Sequence, residues 1–493
     1  MPENTRTTED PPAPVESPVL SRYEQRGIEP VPEADRQGNP LDLFWVWFAA
    51  NLSILGIPLG VTLVALGMNV WQALLVAALG AFGSFALVGV ISIAGRRGGA
   101  PSLTLSRATF GVRGNIGPTL VSLASRLGWE TVNTATGAFA LLSLSALLLG
   151  TNPDAKQTPV LALVCIAIFV GCTVAVSGMG HAFLVTVQKW ATWIFGGLNV
   201  LVGAYLVSTV DWSAVASTPA GPISAVIIGV GTIAAGTGIG WANAGADMSR
   251  YQSGRVRAGA LVASASAGAG IPLVFIIGLG SLLAAGDSSL AAAGDPVAAV
   301  RSLLPSWVAV PYLVTAFGGL LLSNHLSVYS AGLTTLTLGF RIKRVYAVVL
   351  DVVVTTLGAI YFILISDSFY GPFITFISLL AVPITAWVGV FVVDMIGRRR
   401  YDADALMDLS RSSRYWYRGG VEWRATASWA VAIVVGFLFS TARVSEAEVW
   451  FTGALADTWI GSNGLAWVAT LVVAGALYAA LGGVRAGRAT KEA

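Results

Sequence analysis

Twelve stretches of about 18 or more predominantly apolar residues recur along the chain. Each is long enough to cross roughly 30 Å of hydrocarbon at about 1.5 Å per residue. A segment in lipid must satisfy its own backbone hydrogen bonds, so such stretches are held to helices. They lie near 42–67, 70–95, 117–150, 159–179, 182–208, 222–247, 257–285, 307–335, 344–366, 371–396, 425–442 and 463–484. The predicted fold is therefore an all-α polytopic membrane protein of about 12 transmembrane helices. Only 11% of the 493 residues are charged, against roughly 25% in a soluble domain, which excludes a large wetted surface.

The basic residues identify the sides. Arg96, Arg97, Arg107 and Arg113, then Arg250, Arg255 and Arg257, then Arg341, Lys343 and Arg344 fall in alternate loops, and Arg398 to Arg424 and Arg485 to Lys491 continue the series. The intervening loops hold only Lys156, Arg301 and Arg443, beside eight acids. The excess of Lys and Arg on one side predicts that both termini are cytoplasmic, in a cytoplasmic (inner) membrane. This is a topological pattern and not a nucleic-acid footprint. Residues 1–40 carry acids, prolines and scattered bases without an apolar core, so they are expected to form a disordered cytoplasmic tail without a cleavable signal. Cys165 and Cys172 sit seven residues apart in one span, too far along a helix to bridge.

Two spans are interrupted. The first carries Asn51-Leu-Ser53-Ile-Leu-Gly56-Ile-Pro58-Leu-Gly60, and the sixth carries Gly229-Val-Gly231 and Gly236-Thr-Gly238-Ile-Gly240. Each glycine alone is consistent with close helix packing. Their matching positions five spans apart point instead to two inverted five-helix repeats, whose discontinuous helices expose backbone groups to substrate and ion near the midplane. The expected organisation is a transporter core over 41–400, with halves at about 41–210 and 220–400. A basic interfacial loop over 401–424 follows, with Tyr415-Trp416-Tyr417 at headgroup level, then two accessory transmembrane helices over 425–485 and a cytoplasmic tail over 486–493. A six-plus-six facilitator would repeat its breaks after six spans.

Few polar side chains enter the spans, and each is a candidate site because burying it in lipid is costly. In span three, Trp129 and Asn133 lie four apart on one face. An indole beside an amide suits a planar heterocycle, although a packed tryptophan and a tied asparagine would read the same. Span six adds Trp241 after Gly240 as an opposite wall. Span eight places Asn324 mid-membrane, with His325 rotated away. Glu130 is likewise turned from Trp129, and Glu130 and His325 are candidate proton carriers or satisfied structural groups. Asp247 and Arg250 read as a structural ion pair or helix-end contact. Lys189, Arg126 and His181 are expected to snorkel to the inner headgroups. No phosphate loop, metal-spaced His and carboxylate pair or nucleophile elbow occurs, so the chain is predicted to be neither an enzyme nor a metal protein, with no cofactor.

Gly27-Ile-Glu-Pro-Val-Pro32, Asn39-Pro40-Leu41, Phe44-Trp45 and Asn51-Leu52-Ser53 resemble the entry to span one in the nucleobase:cation symporter-1 family. The likeness continues through Arg107 to Gly114, Gly128-Trp129 with Asn133, Gly240-Trp241 to Ala246-Asp247, Asn324 with Tyr329 and Gly332, and Asp394 before Arg398 to Asp402. Within that family the chain is most similar to the purine-cytosine permease branch. The resemblance implies a LeuT-like transporter importing a nucleobase, cytosine and/or a purine, by cation symport. Trp129 and Trp241 would stack on the ring, Asn133 and Asn324 would read its edge, and Ser53 and Gly240 would lie nearby. Sodium-dependent relatives carry hydroxyls where this chain has Gly318 and Gly319, which favours H+ over Na+, with Thr315 a possible substitute ligand. The alternatives are a hydantoin, allantoin, vitamin-like ring or amino acid on the same fold, or an uncoupled sensor or channel. The pocket shows no obvious arginine, which speaks against a carboxylate substrate, and nothing in the sequence sets an oligomeric state.

Overall fold

Asn39 starts the first helix by a reciprocal cap: its side chain accepts from Leu41 N–H, and the Asp42 carboxylate accepts from Asn39 N–H at 2.9 Å. Pro40 at the first helical position needs no donor there. The helix so begun, α1 (Pro40–Ala50), stops at Asn51, and α2 (Gly56–Ala65) resumes beyond a non-helical Asn51–Leu55. In the computed structural model, residues 26–177, 179, 181–286, 296–340, 342–366, 370–444 and 448–485 are described. The expected tails over 1–25 and 486–493 lie outside them.

The elements continue as α3 (Val70–Gly98), α4 (Ser102–Phe110), α5 (Ile116–Leu149), α6 (Pro159–Ser177), α7 (His181–Thr209) and the short α8 (Trp212–Ser217). The sixth span is α9 (Ile223–Ala234), a π-helical turn over Ala235–Ile239, α10 (Gly240–Ala242) and, past Asn243 and Ala244, α11 (Gly245–Ser249). There follow α12 (Ala258–Gly286), α13 (Pro296–Ser302), α14 (Ser306–Thr337), α15 (Arg344–Ile360) with a terminal π turn, and α16 (Tyr370–Gly397). The C-terminal part holds α17 (Ala403–Met407), α18 (Trp423–Leu438), the hairpin β1 (Thr441–Arg443) and β2 (Val449–Thr452), α19 (Trp459–Ser462) and α20 (Ala466–Ala480).

The two interruptions fall where the sequence places them. Around them the helices form two groups, one of α1, α2, α3, α9 to α11 and α12, the other of α5, α6, α14 and α15. In each, elements five spans apart pack on one another, α3 with α12 and α5 with α14. Small residues permit this: a Cβ on Gly60 would enter the backbone of Ile277 and Ser281, and one on Gly280 the backbone of Ile57, while Ser281 Oγ donates to the Gly60 carbonyl at 3.1 Å.

Among the described residues, nine helices are long and apolar enough to span a membrane. Four shorter apolar helices remain, two being the halves of span one. The other two, α18 with 16 residues and α20 with 15, fall short of the ~20 residues of a full crossing. They pack on α16 and on each other.

Three local expectations change. Residues 26–39 are not a free tail: Val31 is fully buried, its N–H donates to the Gly99 carbonyl at 2.8 Å, Gly38 N–H donates to Tyr251 O at 2.8 Å, and Arg36 donates to the Arg96 carbonyl. Prolines and charges mask this because the contacts are mostly through backbone. The loop over 401–424 is tied to the protein by buried residues, Ala405, Leu406, Ser413 and Tyr415 among them. Tyr415 is 1% exposed, and Tyr417 donates to the Ala108 carbonyl at 2.6 Å, with burial pushing its phenol up to about 12. Arg107 explains the anchorage, donating to the carbonyls of Leu406 and Thr337 at 2.7 Å each. Finally, His181 stacks on Tyr251, with ring centroids 4.8 Å apart, instead of snorkelling.

Candidate functional site

The 34-residue α5 presents Arg126, Trp129, Glu130 and Asn133 at i, i+3, i+4 and i+7, the spacing of one helical face. Opposite this stripe stands the broken part of span six. Gly240 lies so close to Trp129 that a Cβ there would sit 3.2 Å from the indole Nε1. Trp129 and Gly240 border a narrow cavity with Ser125, Ala235, Phe376 and Ile384. Ala235 also lines a larger cleft between spans six and ten and the C-terminal helices, reaching Ser440, Ser462 and Trp467.

On the next turn of α5, Asn133 Nδ2 points to Asn324 Oδ1 of α14 at 3.5 Å, and Asn324 Nδ2 donates to Thr173 Oγ1 at 3.1 Å. The two asparagines from helices five spans apart thus meet, and Asn133 Oδ1 has no partner among the described residues. Ser53 occupies the break of span one, accepting from Leu55 N–H at 3.3 Å. It lies against Gly319 of α14.

Trp241 departs from its expected place. It packs edge-on against Trp47, with centroids 5.4 Å apart, and the Arg126 guanidinium sits over its ring at 4.2 Å. One face is therefore covered by a cation, and Trp241 backs the arginine where an opposing wall was expected. Arg126 does not snorkel. It is fully buried, its Nη2 donates to the Gly240 carbonyl, and Nε and Nη1 have no hydrogen-bond partner among the described residues. A buried arginine thus stands one turn from Trp129, although it does not border the narrow cavity. Arg126 lies about 15 Å along α5 from Ile116, beyond easy reach of headgroups, and the glycine break in span six offers it a bare carbonyl.

Glu130 is fully buried with no well-formed hydrogen bond to its carboxyl oxygens among the described residues, and the Ser327 hydroxyl of α14 is the polar group beside it. Arg126 and Asp351 are the charged groups that act on it. Asp351, never nominated from sequence, is a lone acid in the apolar run of α15; it accepts from Thr335 Oγ1 at 3.2 Å and leaves Oδ2 unbonded. The His325 imidazole lies near the Cys172 backbone of α6, and Ser177 Oγ donates to the His325 main-chain carbonyl at 3.3 Å. Thr315 Oγ1 is buried without a partner among the described residues. Asp247 accepts from Ser102 N–H at 2.8 Å and Ser330 Oγ at 2.7 Å, while Arg250 donates to Gly27 O at 2.6 Å and Tyr329 OH at 2.8 Å. Both are structural ties at the same end of span six.

The model of a family described as permease for cytosine/purines, uracil, thiamine, allantoin matches residues 30–481. The chain is 24% identical over 469 residues to the putative purine-cytosine permease YxlA of Bacillus subtilis (strain 168), covering 93% of this chain and 95% of that protein. It is 26% identical over 468 residues to the hydantoin permease of Microbacterium maritypicum, covering 89% and 88%. Among solved structures, Mhp1, a nucleobase-cation-symport-1 family transporter, closed with bromovinylhydantoin bound, superposes with a TM-score of 0.71 at 22% identity, over 94% of this chain and 96% of that one. MhsT in complex with L-phenylalanine gives 0.56 at 16% identity, over 90% and 99%. These likenesses establish the LeuT-like five-plus-five fold.

Proposed function

Because the chain belongs to the family of permeases for cytosine/purines, uracil, thiamine and allantoin, we propose that it imports a nucleobase, cytosine and/or a purine, by proton symport. The observation that carries this is the meeting of Trp129 with Gly240 and of Asn133 with Asn324 around the interrupted sixth span. The ring stacks on Trp129, and the two amides, each able to donate and accept, read its edge. The helix group holding both interruptions then rocks against the α5, α6, α14 and α15 group, exposing the ring to each side in turn. Both termini lie in the cytoplasm and the protein resides in the cytoplasmic membrane, in line with its loop charges.

Proton coupling is favoured over sodium because α14 meets the interruption of span one with a glycine and not with a hydroxyl. A Cβ on Gly318 would run into the Phe195 ring, and one on Gly319 into the Leu52 carbonyl. Glu130, mid-membrane on α5 beside the ring site, is the proton carrier, and Asp351 lies in its field. His325 is turned toward α6 and takes no part; Thr315 keeps an unbonded hydroxyl and is the residue a residual cation site would use.

A hydantoin or allantoin is the second reading, favoured by the full-length likeness to the hydantoin permease. Uptake by reconstituted vesicles, measured for nucleobases and hydantoins under an imposed pH gradient or an imposed sodium gradient, tests both. Accumulation of one of these heterocycles driven by the pH gradient is expected. Uptake no greater than in protein-free vesicles for every compound would end the permease reading, and accumulation driven by sodium alone would end proton coupling.

A further inference from the structure

Within the permease reading, on which this step rests, we infer that Arg126 makes the site selective for oxo-heterocycles, whose ring edge presents carbonyl oxygens or their anions, over amino-heterocycles. The asparagines cannot decide this point. An amide offers an oxygen and an NH2 group, and turning it over exchanges acceptor for donor, so Asn133 and Asn324 fit a lactam or an amidine edge alike. A guanidinium has five N–H donors, no acceptor and no accessible neutral form. It rejects an amino group by presenting donor to donor, and accepts an imide or lactam oxygen.

The structure buries this group directly behind the Trp129 and Gly240 contact and leaves two of its nitrogens unbonded among the described residues. Arg126 is one turn from Trp129 on the same face of α5, and its Nη2 is fixed on the carbonyl of Gly240, the residue against which the Trp129 indole lies. Trp241 holds the guanidinium plane from behind. With Nη2 anchored, Nε and Nη1 remain buried without a hydrogen-bond partner among the described residues, and a buried unmet donor is costly. The carboxylates that act on Arg126 are Glu130 and Asp247. Asp247 is engaged by Ser102 and Ser330; Glu130 makes no hydrogen bond to it. A ring stacked on Trp129 with an oxygen toward α11 would meet those donors. A cation that merely balanced Glu130 would affect the rate and pH dependence of transport without ranking ligands by edge chemistry.

Competition against uptake of one labelled substrate by wild-type vesicles measures the ranking directly. Hypoxanthine, xanthine, uracil and hydantoin form one set, adenine and 2,6-diaminopurine, which carry no ring oxygen, the other. The oxo set is expected to inhibit at concentrations about ten- to a hundredfold lower than the amino set, the range for a hydrogen bond to a charged group. In Arg126→Gln, whose amide can turn over, the ratio between the sets should collapse toward unity, with thermal stability monitored alongside. Wild-type preference for adenine or 2,6-diaminopurine, or an oxo preference kept intact in a folded Arg126→Gln, overturns the inference while leaving the permease reading standing. If Arg126→Gln does not fold, the wild-type ranking alone decides. Inhibition by no heterocycle in either set removes both.

Discussion

Replacing Gly319 by alanine probes the contact on which the coupling argument turns. The new Cβ would stand 3.1 Å from the Leu52 carbonyl carbon, closer still to its oxygen, and 3.3 Å from Ser53 Cα. Carbon contacts are optimal at about 3.5–4.0 Å. The atoms met are backbone at a helix interruption, so no side chain can rotate out of the way. Overpacking of this kind costs about 1–3 kcal/mol, and alanine's better helix propensity returns about 1 kcal/mol. The net is a loss of up to about 2 kcal/mol, or a few degrees in apparent Tm. Gly83 in α3 and Gly171 in α6 have nothing within 4 Å of a built Cβ, so alanine there should leave stability unchanged or slightly raised. The assay is thermal unfolding of purified protein in one detergent at one scan rate, because chains of this size often unfold irreversibly. Gly319→Ala as stable as Gly83→Ala would refute the packing argument. Gly319→Ser meets the same obstruction, so that variant being as stable as Gly83→Ala would equally refute the packing argument, and sodium-driven uptake by the wild type would refute the coupling argument.

Trp129→Ala should weaken substrate binding about ten- to a hundredfold, from the roughly 1–3 kcal/mol of a base stacked on an aromatic ring; an unchanged Kd by titration would remove Trp129 from the site. Glu130→Gln should abolish pH-driven accumulation while substrate exchange across vesicles persists, and accumulation at the wild-type level would clear Glu130 of proton carriage. Asp394 is buried and bonded to Arg398 at 2.7 Å, to Thr109 and to Tyr478. Asp394→Asn should therefore destabilise by about 3–5 kcal/mol, since it strands a buried guanidinium; a Tm equal to the wild type would show the pair to be dispensable.

Span lengths were legible because hydrocarbon thickness imposes them, and the interruption after Asn51 because Gly56 and Pro58 announce it. Asn133 and Asn324 were legible as costly amides in apolar runs, and the structure joins them. Arg126 was not: distance from a span's end is the only guide to snorkelling in a sequence, and that guide ignores a bare carbonyl on another helix. Asp351 could have been found as a lone acid seven residues past Arg344. Tyr415 and Tyr417 mislead because an aromatic run among arginines looks the same whether it meets lipid headgroups or, as here, the backbone of α4. The anchoring of residues 26–39 rests on main-chain partners at Gly99 and Tyr251, which leave no compositional trace.

That leading segment has a mechanical corollary. Through Gly99 and Arg96 it grips the tail of α3; through Tyr251 and Arg250 it grips the chain just beyond α11, and it then runs directly into α1. Three helix ends are thereby sewn together by one strip of backbone. Relative sliding among them would cost several of these bonds at once, so the hinge of any opening motion is displaced outward, to the seam those helices share with α5 and α14. Shortening the chain past residue 38 would cut the stitching without removing any residue of the ring site.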